Sequence, residues 1–211
     1  MDYADQGFEK HRLAGLQDSV YSIALTLLVL ELKLPGLPEH IGNAALWAAL
    51  VELWPKVLTW LLSFWVLAMF WVSDVRAHRS LSTVDRVTLR LGLGRLALVS
   101  LPPFSTALMG EHGDLVTPSA LYALHILGLA LMPLLRLLLV ERPGSAASSP
   151  RPDPISADSR LAVITTFACA LVALGLAFMV PGYNMLALLP IALLPLTRRL
   201  IRSGPGPGAA A

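Results

Sequence analysis

The amino-acid sequence predicts an all-α, polytopic membrane protein with six transmembrane helices. Apolar residues make up 55% of the chain and charged residues only 14%, which is more apolar than ordinary soluble domains. The mean hydropathy is +0.66. Six stretches are each apolar over roughly 20 residues, the length that crosses a hydrocarbon core ~30 Å thick. The 211 residues therefore form one membrane domain, without room for a separate soluble domain.

The six predicted spans are residues 13–34, 57–75, 89–109, 119–140, 161–180 and 183–201. The second apolar stretch already begins at Ala44 and is interrupted by Glu52, Pro55 and Lys56, which predicts an interfacial turn or short helix before the span. Prolines inside the spans predict kinks in helices that pack against neighbours, at Pro133, Pro190 and Pro195. Cys169 lies inside an apolar run and is interpreted as a small buried hydrophobe.

The positive charges predict the orientation, because loops rich in arginine and lysine stay in the cytoplasm. Basic residues cluster before the first span and after the second, fourth and sixth spans. The opposite connections carry Lys33 with Glu31 and Glu39, then Glu111 with Asp114. Both termini are therefore expected in the cytoplasm of a multi-pass plasma-membrane protein. The Pro/Ser/Ala-rich connection 141–158 and the Gly/Pro/Ala tail 203–211 are expected to be flexible and cytoplasmic.

The first helix carries the candidate functional residues. Asp18 is a carboxylate within an apolar helix, and such a group either faces other helices or caps a helix start near the interface. Arg12 and Asp18 are six positions apart, so they do not share a helical face and their partners must come from elsewhere. A helical stripe joins Ser19, Ile23, Thr26, Leu27 and Leu30. An uninterrupted apolar helix has such a stripe on every side, so periodicity alone does not select a functional face.

The sequence RLAGLQDSVYSIALTLLVLE from Arg12 to Glu31 resembles the first helix of bacterial homologues of transmembrane protein 175, the lysosomal potassium channel family. That family begins with Arg, three variable positions and Phe-Ser-Asp, and here Leu16 and Gln17 replace the Phe and Ser. Two later segments are also similar to the family, namely Ser63-Phe64 followed by Trp71, and Pro103 to Glu111. Family members often carry a His pair three residues after the Trp, where this chain has Asp74 and Val75.

The resemblance implies a homotetramer with a central potassium-permeable pore lined by the first helix of each subunit. Ile23 would then form a narrow hydrophobic constriction, with Leu27 and Leu30 further along the pore and a hydroxyl from Thr26 nearby. Such a ring obstructs ions because they shed water without gaining ligands. Arg12, Gln17 and Asp18 would form a structural polar motif near the cytoplasmic end. Potassium would be the permeant ion, with no cofactor and with the lipid bilayer and identical subunits as partners.

Two other functional classes remain open at this point. A proton-coupled or other secondary transporter would use Asp18, Glu52 or Arg95 as carriers, although the second half lacks an evident copy of the Asp18 segment. The second open class is a noncatalytic assembly or scaffold membrane protein. The Gly92-Leu-Gly94-Arg-Leu-Ala97 run matches a dinucleotide-binding spacing but is interpreted as helix packing. The scattered histidines argue against a metal site, and no hydrolase motif indicates an enzyme. A net charge of +2 could suggest nucleic-acid binding, but the basic residues lie beside the spans, where the inside-positive topology accounts for them.

Overall fold

The computed structural model describes residues 3–34, 36, 40–79, 86–139 and 157–191. Throughout these residues the regular structure is helical. The α-helices are α1 (Tyr3–Leu27), α2 (Asn43–Glu52), α3 (Trp54–Arg79), α4 (Arg86–Val99), α5 (Pro102–His112), α6 (Val116–Leu139) and α7 (Ala157–Met179). Short 3-10 helices follow α1 and α7, at Leu28–Glu31 and Asn184–Leu188.

Among the described residues, five stretches are long and apolar enough to cross a membrane. They are His11–Glu31, Trp54–His78, Arg86–His112, Val116–Leu139 and Arg160–Met179. The predicted sixth span, 183–201, is described only as far as residue 191, and its remainder lies outside the described residues. The tail 203–211 and nearly all of the connection 141–158 lie outside them as well.

Two prolines divide the third crossing into α4 and α5. The sequence predicts one span over 89–109, whereas the structure interrupts the helix at Ser100 and Leu101. Pro102 and Pro103 have no N–H, so the carbonyls one turn earlier receive no helical hydrogen bond from them. Proline is favoured in the first turn of a helix, where its missing N–H costs nothing, and α5 begins with this pair.

The apolar stretch before the second span forms a helix of its own. α2 ends at Glu52, and α3 begins two residues later at Trp54, with Pro55 in its first turn. Trp47 and Trp54 are both largely exposed beside this junction. Tryptophan is enriched where the bilayer meets water, so α2 has the composition of an interfacial helix.

Helix α6 lies at the centre of the described bundle and packs against α4, α5 and α7. Its contact with α7 uses alanines that are fully buried, at Ala123 and Ala130 on α6 and at Ala170, Ala173 and Ala177 on α7. Small side chains let two helix backbones approach closely, which is a common way for helices to associate in lipid. Helix α1 lies to one side, against α3, α4 and α5.

A hydrogen-bonded turn joins the end of α7 to the α5–α6 connection. The Ser119 hydroxyl donates to the Gly113 carbonyl at 3.0 Å and accepts from the Gly182 N–H at 3.0 Å. Asn184 is fully buried, and its amide donates to the Ser119 carbonyl at 3.1 Å. Gly182 has φ of +86°, a conformation that glycine adopts at little cost. The chain therefore reverses tightly after α7.

Candidate functional site

One face of α1 packs inside the subunit and the opposite face is exposed. The buried face consists of Leu13, Gln17, Tyr21, Ala24 and Leu28, at helical spacing. The exposed face contains the residues that the sequence nominates for the pore, with exposures of 58% for Ile23, 40% for Leu27 and 61% for Leu30. Thr26 and Ser19 are exposed on the same side. Burial thus separates two faces that hydrophobic periodicity alone does not distinguish.

The hydroxyl groups on the exposed face donate hydrogen bonds to backbone carbonyls of the same helix. Thr26 donates to the carbonyls of Ser22 and Ile23 at 3.0 and 2.9 Å, and Ser19 donates to the Gly15 carbonyl at 2.8 Å. A hydroxyl oxygen has acceptor lone pairs besides its one donated hydrogen. Thr26 therefore leaves an acceptor oxygen on the exposed face, close to Ile23.

Two hydrogen bonds attach α1 to α3. Trp71 Nε1 donates to Asp18 Oδ1 at 2.8 Å, and the Tyr21 hydroxyl donates to Asp74 Oδ2 at 2.7 Å. Asp18 therefore finds its partner on another helix. Because α1 already begins at Tyr3, Asp18 does not cap a helix start. These bonds hold α1 in one rotation, with its Ile23 face turned away from the subunit.

A buried ion pair lies behind this attachment. Arg95 Nε of α4 is 2.6 Å from Asp74 Oδ2 of α3, with side-chain exposures of 5% and 13%. Arg95 also donates to the Tyr21 hydroxyl at 3.2 Å and to the Phe70 carbonyl at 3.4 Å, and its guanidinium lies over the Phe70 ring. Asp74, a departure from the family pattern, is thus the counter-ion of a buried arginine. The same network joins α1, α3 and α4.

Helices α4 and α6 each supply a side-chain donor to a carbonyl on the other helix that has lost its regular helical partner to a proline. Pro102 cannot donate to the Leu98 carbonyl, which accepts from the Leu101 N–H at 3.3 Å and from His125 Nε2 of α6 at 2.6 Å. Pro133 cannot donate to the Leu129 carbonyl, which accepts from Arg95 of α4 at 3.5 Å. Unsatisfied backbone groups are costly in lipid. His125 therefore stabilises the chain before Pro102, and Arg95 stabilises α6 before Pro133.

Gln17 and Arg12 are the other two residues of the predicted polar motif. The Gln17 side chain is buried and lines a cavity of about 100 Å³ between α1 and α3, together with Asp18, Asp74 and His78. Gly92 of α4 faces Gln17 and Leu13, so the glycine run lies in a helix packed on α1. Arg12 is exposed, about a turn and a half before Asp18.

Tyr21 and His125 were not predicted as polar contacts from the sequence, and Arg95 was interpreted as a candidate ion carrier. The signal that could have identified the network is the charge of Arg95 within an apolar helix, because a charged side chain in a membrane requires a partner. Ser63, one of the family-like positions, also makes a contact across the bundle, since its hydroxyl on α3 lies 3.0 Å from the hydroxyl of Tyr122 on α6. No cluster of three or more metal-ligating side chains occurs among the described residues.

Comparison with known proteins shows similarity to one family of channels. Residues 12–103 match the family model described as the endosomal/lysosomal potassium channel TMEM175. A potassium channel of Streptomyces collinus is 34% identical over 104 residues, which is 49% of each chain. A potassium channel of Chamaesiphon minutus is 34% identical over 119 residues, or 56% of each chain. The matched stretch thus spans about half the length of these curated relatives.

The similarity in fold extends further along the chain. The crystal structure of a lysosomal potassium-selective channel TMEM175 homologue from Chamaesiphon minutus has a TM-score of 0.67 and 27% sequence identity. The likeness covers 93% of this chain and 99% of that one. Together with the family-model match over residues 12–103, it shows that this chain is similar to the TMEM175 potassium channels in sequence over part of its length and in fold over nearly all of it.

Proposed function

We propose that this protein is a potassium-permeable channel in which four subunits bring their α1 helices together around one pore. The observation that carries the proposal is the exposed face of α1 at Ile23, Thr26, Leu27 and Leu30. Among the described residues of a single subunit this face is largely exposed, while the reverse face is anchored by Asp18 and Tyr21. Its relatives are named potassium channels, and one of them is described as potassium-selective.

In the proposed tetramer, four copies of Ile23 form an apolar ring. An ion that passes this ring gives up water without receiving protein ligands in return. Potassium is larger than sodium and loses its hydration shell at lower cost, so the ring favours potassium modestly. The acceptor oxygen of Thr26 lies one turn away and replaces part of the lost hydration. The proposal also includes a sixth transmembrane helix, cytoplasmic termini and a location in the plasma membrane.

The polar residues named for a transporter have other roles in the structure. Arg95 is buried in an ion pair with Asp74, and Asp18 accepts a hydrogen bond from Trp71. Glu52 lies at the end of α2, outside the five candidate crossings. A carrier group has to bind and release its cargo during each cycle, and these side chains are engaged in holding helices together. Passive conduction therefore fits the site better than coupled transport.

The Ile23→Asn substitution tests the constriction. It replaces four apolar side chains in the pore with groups that can coordinate ions, so the preference for potassium over sodium should fall in planar-bilayer recordings. Ile164→Asn on α7 is a matched control, because Ile164 is the same residue type with 53% exposure on a different helix. It should leave the ion preference unchanged. An unaltered preference in Ile23→Asn channels that still conduct would show that Ile23 is not the constriction.

A further inference from the structure

The helix that carries the proposed pore face ends in a charged pair. Beyond Leu27 the chain tightens into the 3-10 segment Leu28–Glu31, and Lys33 Nζ lies 3.9 Å from Glu31 Oε2. The two side chains differ in accessibility, since Lys33 is 71% exposed and Glu31 is 24% exposed. The ammonium therefore extends into water while the carboxylate stays against the protein.

The local backbone explains this difference. Side chains three residues apart in a 3-10 helix lie above one another, so Glu31 follows Leu28, which is fully buried. The segment packs against α3 and α5, and Glu31 is on its packed side. The Lys33 N–H then donates to the Glu31 carbonyl at 2.9 Å, and Leu32 has φ of −80° and ψ of 70°, which is an inverse γ-turn. Lys33 thus lies just beyond Leu30, the last residue of the exposed face.

We propose that Lys33 and Glu31 form a ring of paired charges at one mouth of the pore, in which Lys33 lowers and Glu31 raises the rate at which cations enter. This inference rests on the proposed tetramer. Four ammonium groups next to a narrow opening repel potassium, and their carboxylate partners offset part of that repulsion. The pair is a rate-setting element at the entrance, distinct from the apolar constriction deeper in the pore.

The size of the effect follows from Coulomb's law and ionic screening. If each ammonium lies about 10 Å from the axis, removing four of them raises the potassium concentration at the mouth about two-fold at 0.15 M salt. At 0.01 M salt the increase is about seven-fold, because the Debye length grows to roughly 30 Å. At 1 M salt the Debye length is roughly 3 Å and the effect disappears.

Single-channel recordings of Lys33→Gln at these three salt concentrations test the proposal. The current that enters from the Lys33 side should rise about seven-fold in low salt and be unchanged in high salt. The current from the opposite side should change less, which provides an internal reference. Lys56→Gln is the matched control, since Lys56 carries the same charge at the start of α3 rather than on the pore helix. Its effect should be smaller.

Glu31→Gln should have the opposite effect and reduce entry from the same side. Lys33 is exposed, so its substitution leaves the packed face intact and the variant should fold even if Glu31→Gln does not. Wild-type and Lys33→Gln channels with equal currents in low salt would overturn the inference while leaving the channel function standing. Wild-type protein without any potassium flux would instead overturn the proposed function itself.

Discussion

Removal of the carboxylate from Asp74 should destabilise the bundle strongly. Asp74→Ala leaves Arg95, whose side chain is 5% exposed, without its counter-ion at 2.6 Å. The remaining partners of Arg95 are neutral and more distant, namely the Tyr21 hydroxyl at 3.2 Å and two carbonyls at 3.4 and 3.5 Å, so they do not replace the counter-ion. Breaking one side of a buried ion pair typically costs about 3–5 kcal/mol, because the surviving charge stays buried. We expect a loss of that size in the free energy of unfolding.

The assay is reversible unfolding of detergent-solubilised protein by increasing fractions of sodium dodecyl sulfate, followed by the fluorescence of the five tryptophans. The double variant Asp74→Ala/Arg95→Met removes both charges and should recover most of the lost stability, within about 1 kcal/mol. Lys33→Ala is the control, because an exposed pair contributes at most about 1 kcal/mol. A loss below about 1 kcal/mol in Asp74→Ala, or a double variant as unstable as the single one, would refute the reasoning.

Two further predictions use the same assay. His125→Leu should cost about 1–3 kcal/mol in the free energy of unfolding, since it leaves the Leu98 carbonyl with only the long bond from the Leu101 N–H, at 3.3 Å. Pro102→Ala restores a backbone donor, so the double variant should lose less than the sum of the two single variants, and strict additivity would contradict this. Gly182→Ala should cost about 1–2 kcal/mol in the free energy of unfolding, because φ is +86° and an added Cβ would stand 3.1 Å from the Gly113 carbonyl oxygen. Gly175→Ala, where the added Cβ meets open space, should not destabilise the protein, and equal effects of the two substitutions would contradict this.

The helical fold class could be predicted because the length of each apolar run can be counted in the sequence. Runs of roughly 20 apolar residues indicate crossings whatever their neighbours are. The adjacent prolines Pro102 and Pro103 are a sequence signal for the division of the third crossing into two helices. The prediction of one continuous span did not use that signal, because the hydropathy stays high on both sides of the prolines. α2 agrees with the short helix or turn predicted before the second span, because Glu52, Pro55 and Lys56 interrupt the apolar residues there.

The exposed face of α1 could not be selected from the sequence, because apolar residues surround that helix. Only packing against α3, α4 and α5 distinguishes Tyr21 and Leu28 from Ile23 and Leu30. The ion pair was hidden for a different reason. Asp74 and Arg95 lie on separate helices, so no periodicity within one helix relates them, and Asp74 stood out only as a departure from the family pattern.

The reciprocal donors of α4 and α6 have a consequence for biogenesis. A ribosome delivers the chain from its N-terminus, so Arg95 emerges after its counter-ion on α3 is already made. The Leu98 oxygen, in contrast, gains its shorter hydrogen bond only from His125, which is synthesised 27 residues later. Until then the Leu101 N–H, at 3.3 Å, is its backbone partner at the break in the crossing. Release of α4 and α5 from the insertion machinery should therefore be delayed until α6 has arrived, so that the three segments partition into lipid as a unit.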